Sequence, residues 1–323
     1  MTHPRVNRRE LLKAGAGAAS LAVASSSLAS NFGQARNEVT IGLATFQFKN
    51  YSNEQLAKEL AEQGIRVIQL FLSQTDSDYW RYNSRSDLTG LTAGRSEKIA
   101  DIYRSAGISI HSLGVYTNLI HPDEAERKAN VKYFEAMMDV GLQMGVHTFI
   151  TEAGHYHDPE KPAPPVEYHL QEDVWKRMVD TGRKLAELAV TYDATILFEP
   201  FYRHFFSTAK RTRVYLEEVN SPRIRALLDP ANLLEFNDTP EMFEQLTEWI
   251  DCLHAKDRKL HVDRGVPAGQ GDLDYLQFVK LAAAKTPKAP LILEYVGPDN
   301  YKQALSHLRG VFREAGLEEA QSR

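Results

Sequence analysis

The chain of 323 residues is 43% hydrophobic and sets 38 Lys and Arg against 43 Asp and Glu, a formal net charge of −5. That is enough apolar sequence to bury a large core, as one big α/β domain or two smaller ones. With no basic stripe interleaved with aromatics, the charge argues against nucleic acid as a partner. The single cysteine, Cys252, excludes an intramolecular disulfide framework and reads as a buried strand residue rather than a reactive thiol.

In chain order, the N-terminus stands apart. Asn7-Arg8-Arg9-Glu10-Leu11-Leu12-Lys13 places paired arginines before an Ala-rich, weakly apolar run over 14–29. The segment resembles a twin-arginine export signal, with Ser27-Leu28-Ala29 as its cleavage site. A basic amphipathic start to a cytosolic protein is the other reading, and the run of small residues favours the signal. The expectation is a cleavable segment over 1–30 and a mature protein that is periplasmic or otherwise exported by the twin-arginine route. No later run is long enough to span a membrane.

From residue 39 onward, strand and helix patterns alternate with little interruption. Strands are expected at 39–46, 67–72, 108–115 and 146–151, and helices at 54–63, 96–105 and from Pro122 to about Met144. The third helix opens on acidic residues that suit its dipole, and Gly107 and Gly145 read as stops. Two long polar stretches, 73–94 and 152–167, read as loops over one end of the fold, and a long helix follows at 172–191. Four further strand-type runs then alternate with helices near 211–219, 240–249, 273–284 and 301–315. Eight β and eight α elements in strict alternation predict one (β/α)₈ TIM barrel over 38–316, an α/β fold preceded by the cleavable segment. A doubly wound sheet would expect a Gly-rich phosphate turn after an early strand, and Gly42-Leu-Ala-Thr-Phe46 is not one.

The last four apolar runs share a feature: each closes on a side chain competent to bind a metal. Ala194-Thr-Ile-Leu-Phe-Glu199 ends in a carboxylate, Arg225-Ala-Leu-Leu-Asp229 in another, Ile250-Asp-Cys-Leu-His254 in an imidazole and Pro290-Leu-Ile-Leu-Glu294 in a third carboxylate. A buried strand has no use for a charge unless it meets a partner at the strand's mouth. In a barrel, these carboxyl ends converge where active sites lie. Three carboxylates and one imidazole form an oxygen-rich set suited to a divalent ion such as Mn²⁺, Mg²⁺, Co²⁺ or Zn²⁺. A buried ionic network that only holds the barrel mouth together is the other reading.

The order Glu199, Asp229, His254, Glu294 resembles that of the xylose-isomerase-like barrel superfamily of sugar phosphate isomerases and epimerases. The words Leu-Phe-Glu199-Pro, Leu-Leu-Asp229-Pro-Ala-Asn232, Leu-His254-Ala-Lys256-Asp257 and Leu-Glu294-Tyr carry the likeness, with Gly269-Gln-Gly271-Asp-Leu-Asp and Asn118-Leu-Ile-His121-Pro. The resemblance implies a metal-dependent isomerase or epimerase acting on a small sugar or sugar derivative. A base removes the proton next to a carbonyl, and the metal stabilises the enediolate-like anion. It further implies that Glu199 and Glu294 serve as ligands and as acid and base. A lyase or hydratase on a keto-sugar would use the same centre, and a sugar-binding barrel without turnover is a further alternative. The sugar, the metal and any oligomer stay open.

One departure from the pattern is Asn232, where many epimerase members carry a histidine that contacts substrate; an amide hydrogen-bonds a hydroxyl but cannot shuttle a proton. The same residue counts against the multi-zinc nucleases of the superfamily, for which His111 would be an extra ligand. Lys256 and Asp257 orient substrate oxygens or form a surface ion pair at a loop start. Glu152, His155 and His157 contact substrate or lie in a solvated loop, and His204, five residues after Glu199, could approach the site on the strand-five loop. Tyr79, Trp80 and Tyr82 form an aromatic platform for a sugar ring or pack under a long loop.

Overall fold

In the computed structural model, which describes residues 38–156 and 166–320, eight parallel strands close on themselves in chain order. They are β1 (Ile41–Ala44), β2 (Val67–Leu70), β3 (Ser109–Gly114), β4 (Thr148–Thr151), β5 (Thr195–Phe198), β6 (Ile224–Leu228), β7 (Ile250–Lys259) and β8 (Leu291–Leu293). Leu291 pairs with Ile41, so β8 returns to β1 and seals the barrel. The expected TIM barrel is the architecture observed. The signal reading at 1–30 and the candidate His157 lie outside the described residues.

Around the strands run α1 (Asn53–Glu62), α2 (Ala93–Ser105), α3 (Glu124–Met144), α4 (Glu172–Thr191), α5 (Ala209–Val219), α6 (Thr239–Leu246), α7 (Tyr275–Lys285) and α8 (Tyr301–Ala315). Their starts follow from short polar side chains that satisfy free backbone amides. Ser52 and Gln55 form a reciprocal capping box on α1, and Asp123, Thr208, Asp238 and Asp274 cap α3, α5, α6 and α7. Helix α2 begins a turn earlier than its periodicity suggests, because Thr92 accepts from the Arg95 amide.

The apolar residues separate into two cores. The larger lies between strands and helices; the smaller fills the barrel interior with Ala44, Phe71, Tyr116, Ile150, Leu197, Leu227, Cys252 and Ile292. This inner plug fixes the site above it. Side chains of a strand alternate sides, so the residue two places beyond a plug residue also points inward, one layer nearer the mouth. Leu197 is followed in this way by Glu199, Leu227 by Asp229, Cys252 by His254 and Ile292 by Glu294. The crowding at this axis also explains Gly42, where a Cβ would stand 2.4 Å from Ile292 Cδ1 and 2.8 Å from the Val67 carbonyl.

Two details differ from the sequence expectation. β7 does not stop at His254; it runs on to Lys259 and folds back against Asp263–Pro267 as an antiparallel hairpin above the mouth. Lys256 and Asp257 are therefore buried strand residues, not a surface pair at a loop start. Within the 73–94 stretch, Ser73–Gln74 and Ser77–Asp78 form a small hairpin of their own.

Candidate functional site

Glu199, Asp229, His254 and Glu294 meet at the strand ends, all buried, with one ligand atom from each lying within 4.8 Å of the others. His254 Nδ1 stands 3.3 Å from Glu199 Oε1, 3.5 Å from Glu294 Oε2 and 3.9 Å from Asp229 Oδ2, yet has hydrogen-bond geometry to none of them. Its other nitrogen, Nε2, is 2.7 Å from Gln69 Oε1, an oxygen that only accepts. That contact keeps a proton on Nε2 and turns Nδ1 into the quartet, so Nδ1 is the nitrogen that would coordinate an ion once its own proton is displaced.

The carboxylates are held as firmly. Glu199 Oε2 accepts from Tyr116 at 2.6 Å and Oε1 from the Asn232 amide at 2.9 Å. Asn232 Oδ1 in turn accepts from Lys256 Nζ at 2.8 Å, so Asn232 lines the cavity while its amide bridges Glu199 and Lys256. Lys256 Nζ lies 2.7 Å from Asp229 Oδ2 and 3.2 Å from Glu294 Oε2, and 4.5 Å from the centre of the Tyr295 ring. Burial opposes the charge on Lys256, but Asp229 and Glu294 outweigh it and hold the ammonium well above its usual range. Burial likewise disfavours a charged His254, and the surrounding Glu294 and Glu199 reverse this, lifting the imidazole to about 9. Burial pushes the Asp229 carboxyl up against the pull of Lys256.

This donor set fits a divalent cation. With the imidazole in the neutral form that binds a metal, three carboxylates and one ammonium leave two negative charges in a buried pocket, and isolated buried charge is costly. The unpartnered Nδ1 of His254, with Asp229 Oδ2 and Glu294 Oε2 beside it, faces the point where such an ion would be coordinated. His111 is not among the four; burial lowers its imidazole to about 4.

Asp257 faces the other way from Lys256. Its oxygens accept from the backbone amides of Arg258, Gly271 and Leu273, so it anchors the loop before α7, and the expectation that it touches substrate is corrected. The reason is the strand alternation: neighbours on β7 point to opposite faces. The Gly269-Gln-Gly271 word is explained by the same contact. A Cβ on Gly271 would lie 2.2 Å from the Arg258 carbonyl and 2.4 Å from Asp257 Oδ1.

Above the quartet opens a cavity of about 610 Å³, lined by Glu199, Glu294, Asn232 and Lys256 at its floor. Glu152, His155 and His204 line its wall, with Trp80, Tyr82, Tyr116 and Tyr295 among its aromatic surfaces. Trp80 and Tyr82 face the cavity, whereas Tyr79 packs on the core beneath the loop, with Arg95 over its ring. Tyr295 follows Glu294 with φ of 55°, a conformation that bulky residues rarely adopt outside constrained sites. Gln69, Tyr116 and His169 escape sequence reading; Gln69 leaves one signal, a lone amide inside the apolar run Val67–Leu70.

No curated protein matches the chain. Among solved structures, the probable 3-DHS dehydratase AsbF of Bacillus anthracis, involved in petrobactin synthesis, aligns with a TM-score of 0.66 at 17% identity, over 84% of this chain and 97% of that one. The E. coli 3-keto-D-glucoside 4-epimerase YcjR, in its apo form, aligns with a TM-score of 0.66 at 16% identity, over 84% of this chain and 100% of that one. The IOLI protein with a bound zinc atom aligns with a TM-score of 0.64 at 17% identity, over 85% and 97%. Likeness at this identity speaks for the fold. The profile of the family described as xylose isomerase-like TIM barrel matches residues 57–311, and on that match the chain belongs to this family.

Proposed function

We propose that the protein is a divalent-metal-dependent enzyme that isomerises or epimerises a sugar or sugar derivative by removing a proton next to a carbonyl. The observation that carries this is His254 Nδ1, turned by the Gln69 contact into a cluster of three carboxylates without hydrogen-bond geometry to any of them, under an aromatic-walled cavity. Glu199, Asp229, His254 and Glu294 would hold the ion, which when bound supplies Lewis-acid stabilisation of the developing anion. Glu294 Oε1 makes no hydrogen bond among the described residues, which suits it to take the proton from carbon. Glu199, pinned by Tyr116 and Asn232, stands as the opposing acid that returns it. The Lys256 ammonium orients a substrate oxygen at the floor. The E. coli epimerase supports the reading by fold and by the keto-sugar epimerisation in its name, and the Bacillus dehydratase by fold.

The test is metal content together with solvent exchange. Metal-replete protein is expected to hold about one equivalent of Mn²⁺, Co²⁺ or Zn²⁺ and to exchange the α-hydrogen of a keto- or aldo-sugar in D₂O. Glu294→Gln should cut that exchange by roughly 10²–10⁴-fold, the usual worth of a general base. Binding of sugar with no exchange from any member of a ketose and aldose panel would leave a binding barrel instead. Export by the twin-arginine route belongs to the same proposal and rests on Arg8 and Arg9 with the small-residue run behind them. Recovery of a protein starting near residue 30 from the periplasmic fraction, abolished by Arg8→Lys/Arg9→Lys, is the expected result.

A further inference from the structure

The cavity has a second polar pole that the quartet does not use. Glu152 lies in the wall with its side chain 13% exposed, and Oε2 accepts from Tyr82 Oη at 2.9 Å and faces His204 Nδ1 at 3.1 Å. No lysine or arginine pairs with it among the described residues. Burial works against the charge on Glu152, but His204 and Tyr82 outweigh it and hold the carboxyl below the usual range. An ionised carboxylate in such a place needs hydrogen-bond donors, and His204 Nδ1 and Tyr82 Oη stand within reach of it. Two further imidazoles crowd this one: His155 stacks on His204 at 5.0 Å and His169 stands 5.9 Å away. Burial, with those neighbours, holds His169 down at about 4, so it stays neutral. With Nδ1 engaged by Glu152, His204 Nε2 makes no hydrogen bond to the described residues.

One wall joins the two poles. The Tyr82 ring packs 6.1 Å from that of Tyr116, whose hydroxyl donates to Glu199. Glu199 and Glu294 of the quartet line the same cavity of about 610 Å³ as Glu152 and His204, room for a sugar-sized molecule to meet both poles.

We propose that Glu152 and His204 form a carboxylate–imidazole pair that protonates an oxygen leaving from the carbon β to the substrate carbonyl, giving the enzyme an eliminating activity on β-hydroxy or β-alkoxy keto-sugars. This rests on the α-proton chemistry proposed above. The Glu294 carboxylate takes the α-proton, and the C–H pair becomes the new carbon–carbon π bond as the β C–O bond breaks. The departing oxygen keeps that bond's pair, takes the Nε2 proton of His204 and leaves as water or an alcohol. Glu294 then loses a proton to solvent and His204 regains one, which restores both. Glu152, held by Tyr82, keeps the imidazole ring in place.

The experiment incubates the Mn²⁺-loaded protein in D₂O with a panel of hexuloses and methyl 3-keto-hexosides, reading α-deuterium uptake and loss of water or methanol by mass spectrometry. Wild type is expected to do both. His204→Gln and Glu152→Gln should slow elimination more than exchange, raising the exchange-to-product ratio at least tenfold. A role confined to folding or general binding would lower both rates together, and an unchanged ratio in both variants would overturn the pair. Exchange in wild type with no elimination from any panel member would overturn the inference while leaving the proposed function standing. No exchange at all would overturn the proposed function, and this inference with it.

Discussion

Gln69 shows how much a single amide decides. Its Oε1 accepts a hydrogen bond from His254 Nε2–H, and its Nε2 reaches the Tyr116 hydroxyl at 3.5 Å, so one side chain holds the ring of one ligand and touches the residue that orients another. Gln69→Leu is expected to keep the fold and weaken divalent-metal binding about 10–100-fold, the usual cost of removing such a supporting partner. Calorimetric titration of Mn²⁺ into the metal-free protein reads it directly, and unaltered affinity would refute the role. Lys256 acts in the opposite sense, because it competes for the oxygens of Asp229 and Glu294. Lys256→Met should retain or tighten metal binding while destabilising the metal-free protein by about 3–5 kcal/mol, the cost of stranding buried charge. Urea unfolding with and without Zn²⁺ measures both, and equal loss in the two states would count against it.

At the scale of elements, the extension of β7 into a hairpin matters most. It carries Lys256 over the quartet, and through Asp257 it ties the loop 269–274 to the strand. The tie needs a residue without a side chain at Gly271, where the strand backbone is too close for a Cβ. Gly271→Ala is expected to cost ~1–3 kcal/mol through the forced shift, which lowers Tm by roughly 2–4 °C per kcal/mol in a domain of this size. Gly310, inside α8, is the matched control, because a methyl group added there would meet only the end of the Arg313 side chain. There, Gly310→Ala should raise stability by about 0.5–1 kcal/mol, since helical alanine loses less backbone entropy. Thermal melts of the pair carry opposite signs if this account holds.

For the whole molecule, the quartet gathers residues from four consecutive strands, so an ion bound there clamps half of the barrel. Ligand that binds only the folded state adds about 2.7 kcal/mol at a hundredfold excess over Kd. Saturating Mn²⁺ should therefore raise Tm by several degrees, and the Asp229→Asn/His254→Ala double variant should show no rise. An equal rise in that variant would place the ion elsewhere. At the far end of the chain, Glu318–Glu319 pairs with Glu38–Val39, and Arg309 holds Glu319, which brings the two ends of the barrel sequence together.

Read alone, the sequence determined the alternation of eight strands and helices, and with it the barrel. It also exposed Glu199, Asp229, His254 and Glu294, because strand alternation is a local rule that places each residue above its plug. Lys256 and Asp257 were visible as a pair, but their opposite directions depended on β7 continuing past His254, which its periodicity did not announce. Only the tertiary structure decided the rest. Gln69 and His254 are 185 residues apart, and Glu152 and His204 come from separate loops 52 residues apart. Contacts of that kind leave no period in the chain, since they are set by where loops cross the barrel mouth rather than by the repeat of a helix or a strand.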